Sequence, residues 1–163
     1  MKEILQVFCA GLGTLGFALF FRVRPVHLLA ATLGGVLSWT LYLVVFAAGG
    51  TVFSSTLVAA LAVCLWAETM ARVRKAPATV FLVPGIIPLL PGGALYYAMD
   101  SVVTGDMDVF LAKGKETVFI AVGIAGGILI ASEIVRVTTR IQAKRRRIQK
   151  SDSQVSEKPN HKG

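Results

Sequence analysis

The chain has 163 residues, of which 55% are hydrophobic and 16% charged, with a mean hydropathy of +0.69. A water-soluble domain of this length needs far more polar surface over its core, so composition excludes that class and points to a membrane protein built as one domain. The net charge of +8 is gathered in a few places rather than spread.

Four stretches, about residues 4–21, 28–48, 52–71 and 117–135, carry few or no charges. Each approaches the roughly 20 apolar residues that a helix needs to cross the hydrocarbon core. A fifth, within residues 77–99, is equally apolar but is interrupted by prolines and glycines. Transmembrane β-strands would read as alternating segments of about 10 residues, and no such pattern occurs. The expected fold is therefore all-α and polytopic: about five transmembrane helices, the fourth broken. Residues 1–140 form the membrane domain in this reading, and 141–163 form a basic, disordered cytoplasmic tail.

The first span opens MKEILQVFCAGLG. Phe8 precedes Cys9 where a lipoprotein cleavage site requires a small residue, and FFRVRP, not a small-residue site, follows the apolar run. The segment thus reads as a retained span. Cys9 and Cys64 fall in separate spans without metal-ligand spacing and read as small apolar packers. GLGTLG at 11–16, Gly34–Gly35 and GIAGG at 123–127 let helices approach closely. No Lys-Ser/Thr follows any of them, as a phosphate loop would require.

Charge sets the expected topology. With five spans and the N-terminus outside, all 17 lysines and arginines except Lys2, Lys113 and Lys115 lie on the cytoplasmic side, and Asp100, Asp106 and Asp108 lie outside. That is a strong positive-inside pattern. Were 79–99 only re-entrant, parity would reverse and RIQAKRRRIQK would face outward. The basic cluster at 144–147 is expected to meet anionic lipid, at about 1 kcal/mol per charge near the surface, and not nucleic acid.

The interrupted stretch, PATVFLVPGIIPLLPGGALYYAM, is the candidate site. In an α-helix each proline lacks an N–H and frees the carbonyl four residues earlier. Pro84, Pro88 and Pro91 would release the carbonyls of Val80, Pro84 and Ile87, which share one helical face. In lipid, such acceptors cost several kcal/mol each unless protein, water or substrate supplies donors. Pro91-Gly92-Gly93 would start a second half-helix whose positive N-terminus favours an anion. Acceptors beside a positive helix end suit a zwitterion, and discontinuous helices mark substrate sites in secondary transporters. The alternative is a proline kink healed by neighbouring helices.

This stretch resembles the signature of the smaller, second membrane-domain subunit of the threonine/serine exporter family. GFALFFRVRP at 16–25 and AETMARVRKAP at 67–77 are similar to the family's end of span one and its approach to the signature. The likeness covers about residues 1–140, and the P-x-x-P-G core at 88–92 is its most specific part. The resemblance implies a cell-membrane (plasma or inner membrane), multi-pass subunit that exports threonine and serine, is driven by the proton gradient and works with a larger multispan partner. Related pairs are linked to succinate export. It implies a small amino-acid substrate near Val80, Pro84, Gly85, Ile87, Pro88, Pro91, Gly92, Gly93 and Tyr96.

Among ionisable residues, Glu68 and Glu133 lie inside apolar stretches, each with an arginine at helical spacing: Arg72 and Arg136. They read as interfacial ion pairs, or, for Glu68, as a proton-coupling carboxylate. Asp100, at the outer mouth of the broken span, is the second proton-coupling candidate or a solvated loop acid. His27 reads as an interfacial polar residue. Trp39, Tyr96 and Tyr97 suit the aromatic belt, and one of the tyrosines lies close enough to the break to line a cavity. No cofactor or metal is expected. Catalysis is not expected either: Cys9 and Cys64 lack a base, and no Ser-His, H-E-x-x-H or paired-aspartate motif occurs. The competing reading is an assembly subunit without a substrate site of its own.

Overall fold

The structure, a computed structural model, describes the backbone of residues 2–156 and the side chains of 3–139 and 141. Among the described residues it is all-helical. Helix α1 spans Lys2–Phe20, α2 Pro25–Ala47, α3 Val52–Arg74, α4 Thr79–Ile86, α5 Gly92–Thr104 and α6 Met107–Ser156, with a single 3₁₀ turn at Ile87–Leu89. Four segments are long and apolar enough to cross a membrane: Glu3–Phe20, Pro25–Ala47, Val52–Arg74 and Met107–Thr139. A fifth results if α4, with its 3₁₀ turn, and α5 count as one span bent by 47°. The expected fold class is thus the observed one.

Local chemistry sets the helix boundaries. Pro25 begins α2, where its missing N–H costs nothing. The Thr51 hydroxyl accepts the Ser54 N–H at 3.2 Å and caps α3. Asp106 does the same for α6, accepting the Val109 N–H at 3.2 Å. Left-handed residues stop four helices: Arg22 after α1, Gly49 after α2, Lys75 after α3 and Gly105 after α5.

Helices pack through small residues, as expected where lipid removes the hydrophobic drive between them and close contact has to supply it. One core cluster comprises Ala18, Ala30, Ala31, Ala67 and Phe81; the other comprises Ala59, Ala60, Leu89, Ile120 and Ile124. Gly35 sits where a Cβ would strike the Thr14 side chain of α1, and a Cβ on Gly127 would lie 2.7 Å from the Leu57 carbonyl oxygen of α3. The packing role read from the Gly34–Gly35 and 123–127 motifs holds at these positions, whereas Gly13 and Gly16 face open space. Between α3 and α2, the Trp66 indole donates to the Ala30 carbonyl at 3.0 Å.

The described chain forms two units divided between Ala131 and Ser132. The first contains α1 to α5 and the start of α6. In the second, Arg136 and Glu133 form the anticipated ion pair at 3.2 Å, with both side chains more than 60% exposed. Helix α6 runs on to Ser156, and residues 157–163 lie outside the described residues.

Candidate functional site

The broken segment contributes one large side chain to each core cluster, Phe81 and Leu89, and is buried between them at Pro84 and Gly85. Pro84 is accommodated inside α4. Beyond it the chain tightens. The Ile87 N–H donates to the Pro84 carbonyl, and the Leu90 N–H donates to the Ile87 carbonyl at 3.1 Å. Two of the three carbonyls expected to be freed are therefore engaged. The physical reason is a change of helix type. Pro88 and Pro91 cannot donate across four residues, so the backbone shifts to bonds across three, and the residue before each proline supplies the N–H.

The carbonyl that does reach across to a neighbouring helix is Gly85's. The Ser38 hydroxyl of α2 is buried and lies 2.9 Å from both the Gly85 and Gly35 carbonyl oxygens, so its single proton is shared between them. Gly85 must be glycine for this approach: an added Cβ would lie 2.6 Å from Val63 Cγ2 and 3.5 Å from the Gly34 carbonyl carbon. Sequence reasoning flagged Gly85 but missed Ser38, since a lone serine in an apolar span ordinarily bonds back within its own helix.

Of the cavities that border the broken segment, two lie one on each side of Gly85 along the chain. The first, about 170 Å³, is lined by Pro88–Pro91, Gly93 and Ala94, by Trp39 and Tyr42 of α2, Thr56 of α3, and Glu116 and Ile120 of α6. Helix α5 begins here. Its N-cap is Pro91, no side chain caps it, and the Leu95 N–H is satisfied by the Pro91 carbonyl at 2.9 Å. The Trp39 indole N–H is buried without a hydrogen-bond partner. The Glu116 carboxylate accepts from Lys113 Nζ at 2.8 Å, with both side chains over a third exposed. Exposed pairs of this kind are worth about 0–1 kcal/mol, so the carboxylate is available to another cation.

The second cavity, about 620 Å³, is lined by Phe21–Arg24 and His27 on one side and by Lys75–Pro77, Thr79, Val80, Val83 and Pro84 on the other. The nine residues expected near substrate thus separate. Val80 and Pro84 line the basic cavity; Pro88, Pro91 and Gly93 line the smaller one; Gly85 packs between. Ile87 and Gly92 line neither, and Tyr96 is 66% exposed with its ring against Tyr97. Glu68 is half-buried on α3 and Asp100 is exposed on α5, and neither lines either cavity. Sequence reasoning missed Glu116, which sits at the edge of an apolar run in KGKE and reads as a loop acid.

Fold and cavities together define a small polytopic membrane protein with an interrupted helix at its centre. The threonine/serine exporter family, ThrE, matches residues 6–134, and the chain belongs to that family. No curated protein and no solved structure gives a significant match.

Proposed function

We propose that the chain is the smaller membrane subunit of a threonine/serine exporter and that the 170 Å³ cavity at the helix break holds the substrate. The observation that carries this reading is the pair of groups around one small space: the Glu116 carboxylate and the start of α5, which no side chain caps. A zwitterion needs such a pair of ends, its ammonium to Glu116 and its carboxylate to the first turn of α5. Drug-sized ligands occupy about 300–1,000 Å³, so a much smaller, polar molecule suits the space. A carboxylate in the wall disfavours succinate.

The 47° bend turns the chain without reversing it, which supports a crossing over a re-entrant loop. With five crossings, the positive-inside pattern supports an N-terminus outside and a basic cavity on the cytoplasmic side. The buried contact of Gly85 with Ser38 then separates a cytoplasmic vestibule from the substrate space. Half a transporter of this size works with a larger multispan partner, and export is coupled to protons through Glu68 or Asp100.

The test is flux. The chain is purified in mild detergent with whatever multispan subunit accompanies it and reconstituted into vesicles loaded with labelled threonine, serine or succinate under an imposed proton gradient. Threonine and serine are expected to leave and succinate to remain. Glu116→Gln and Gly93→Leu should each cut flux tenfold or more at unchanged yield. A Cβ at Gly93 meets no neighbouring element within 4 Å, so a side chain there starts out in open space. Full flux in both variants removes this cavity as the substrate site.

A further inference from the structure

The 620 Å³ cavity has its own chemistry. Arg22, Arg24 and Lys75 line it, and none of the three has an acidic partner among the described residues. His27, on the same wall, has a buried Nδ1 with no hydrogen-bond partner. Helix α4 begins beside it at Thr79 without a side-chain cap, the Val80 and Phe81 N–H groups donating to the Pro77 and Ala78 carbonyls at 3.1 Å.

The backbone singles out two of these cations. Arg22 and Lys75 are the only non-glycine residues with positive φ among the described residues, at 54° and 50°. Each closes the end of its helix in the position usually given to glycine. After α1, the Val23 N–H donates to the Ala18 carbonyl at 3.0 Å and the Arg22 N–H to that of Leu19 at 2.9 Å; after α3, the Ala76 N–H donates to Ala71 at 3.1 Å. A left-handed residue with a side chain is strained, and strain of this kind clusters at ligand sites. Here both strained residues are cations and both line one cavity.

We propose that this cavity binds the phosphate group of an anionic phospholipid. Three cations without an acidic partner among the described residues form a site for an oxyanion with several acceptor oxygens, and guanidinium forks suit phosphate geometry. The occupant is a lipid because both sides of the cavity also carry apolar groups. Phe21 is 49% exposed and Val83 45%, beside Val80 and Pro84, which gives acyl chains a continuous surface at the headgroup. Basic pockets between membrane helices hold lipid headgroups in this way. Because Val80 and Pro84 belong to the broken segment, a bound headgroup braces α4 and makes its position lipid-dependent.

The test uses the full chain in a neutral detergent, titrated with short-chain phosphatidylglycerol, short-chain phosphatidylcholine or inorganic phosphate while the thermal unfolding midpoint is followed. Phosphatidylglycerol is expected to raise the midpoint saturably and phosphatidylcholine to leave it unmoved. The triple variant Arg22→Gln, Arg24→Gln, Lys75→Gln should weaken the phosphatidylglycerol response tenfold or more. Neutralising Lys144, Arg145, Arg146 and Arg147 to glutamine should change it less than twofold. Should the triple variant not fold, Thr79→Glu serves in its place. It sets a carboxylate among the cations at a helix start, where acids are favourable, and should abolish the response in a stable protein. An unchanged response in Thr79→Glu, or one lost only with the tail cluster, overturns the site. Equal stabilisation by inorganic phosphate overturns the lipid as its occupant.

Discussion

The basic cavity before Gly85 and the smaller one after it differ in size, charge and the backbone that frames them. One holds about 170 Å³ around a carboxylate and a helix start; the other holds about 620 Å³ around three cations. Between them the chain is fixed by a contact without slack, Gly85 against Val63 and the backbone of α2, with the Ser38 hydroxyl on its carbonyl. Gly85 thus lies on the chain between the residues that line the two spaces, tied to α2 through one shared proton. An exporter that alternates access has to move such a contact, and a contact this local can be moved by a small rotation of α4.

The largest effect is expected at Gly85. Gly85→Ala places a Cβ 2.6 Å from Val63 Cγ2, and valine has little rotamer freedom in a helix with which to move aside. Overpacking of this kind costs about 2–3 kcal/mol, read as a lower thermal midpoint in detergent, and export falls with it. Val63→Ala removes the obstructing methyls, so the double variant should recover most of the loss. A double variant no better than Gly85→Ala would mean that the backbone of α2 sets the limit.

Ser38→Ala tests the shared proton. The Gly35 carbonyl retains its helical role, whereas Gly85 loses its only cross-helix donor, a cost of about 1–2 kcal/mol for a buried acceptor left short. The thermal midpoint should fall by less than in Gly85→Ala, and water-soluble thiol reagents should reach a cysteine at Ile87 faster than in the parent. An unmoved midpoint would show that the Gly85 carbonyl finds its partner within its own turn.

How much of this was legible in the sequence depends on how local the cause is. The spans were readable because apolar length is a property of consecutive residues, and the break at 87–91 because proline's missing N–H acts within one turn. The type of break was not. Releasing carbonyls assumes that the helix stays α, and the chain relieves Pro88 and Pro91 by tightening to 3₁₀ bonds at Pro84 and Ile87. Of the candidate site, Pro88, Pro91 and Gly93 were named, but Glu116 was not, because nothing local ties position 116 to 88–94. Ser38 and Gly85 are 47 residues apart and meet only through α2 and α4 packing. Arg22 and Lys75 escaped notice for another reason: a left-handed helix end is read from glycine, and these two ends lack it.

Those helix ends give the finest comparison. Four left-handed residues close helices: glycine at 49 and 105, with φ of 90° and 79°, and cations at 22 and 75. No atom lies within 4 Å of where a Cβ would stand on Gly49 or Gly105, so alanine there meets only backbone strain and should lower stability by about 1 kcal/mol. The reverse change, Lys75→Gly, relieves strain that costs an L-residue about 1–2 kcal/mol, offset in part by the greater entropy of unfolded glycine. In neutral detergent Lys75→Gly should therefore stabilise the chain by about 0.5 kcal/mol, measured by thermal unfolding. With phosphatidylglycerol present the advantage should shrink or invert, because the parent gains more from a bound headgroup than a variant with one cation fewer. A stabilisation that persists unchanged in phosphatidylglycerol would assign the strain at Lys75 to helix termination alone and leave the cation without a ligand.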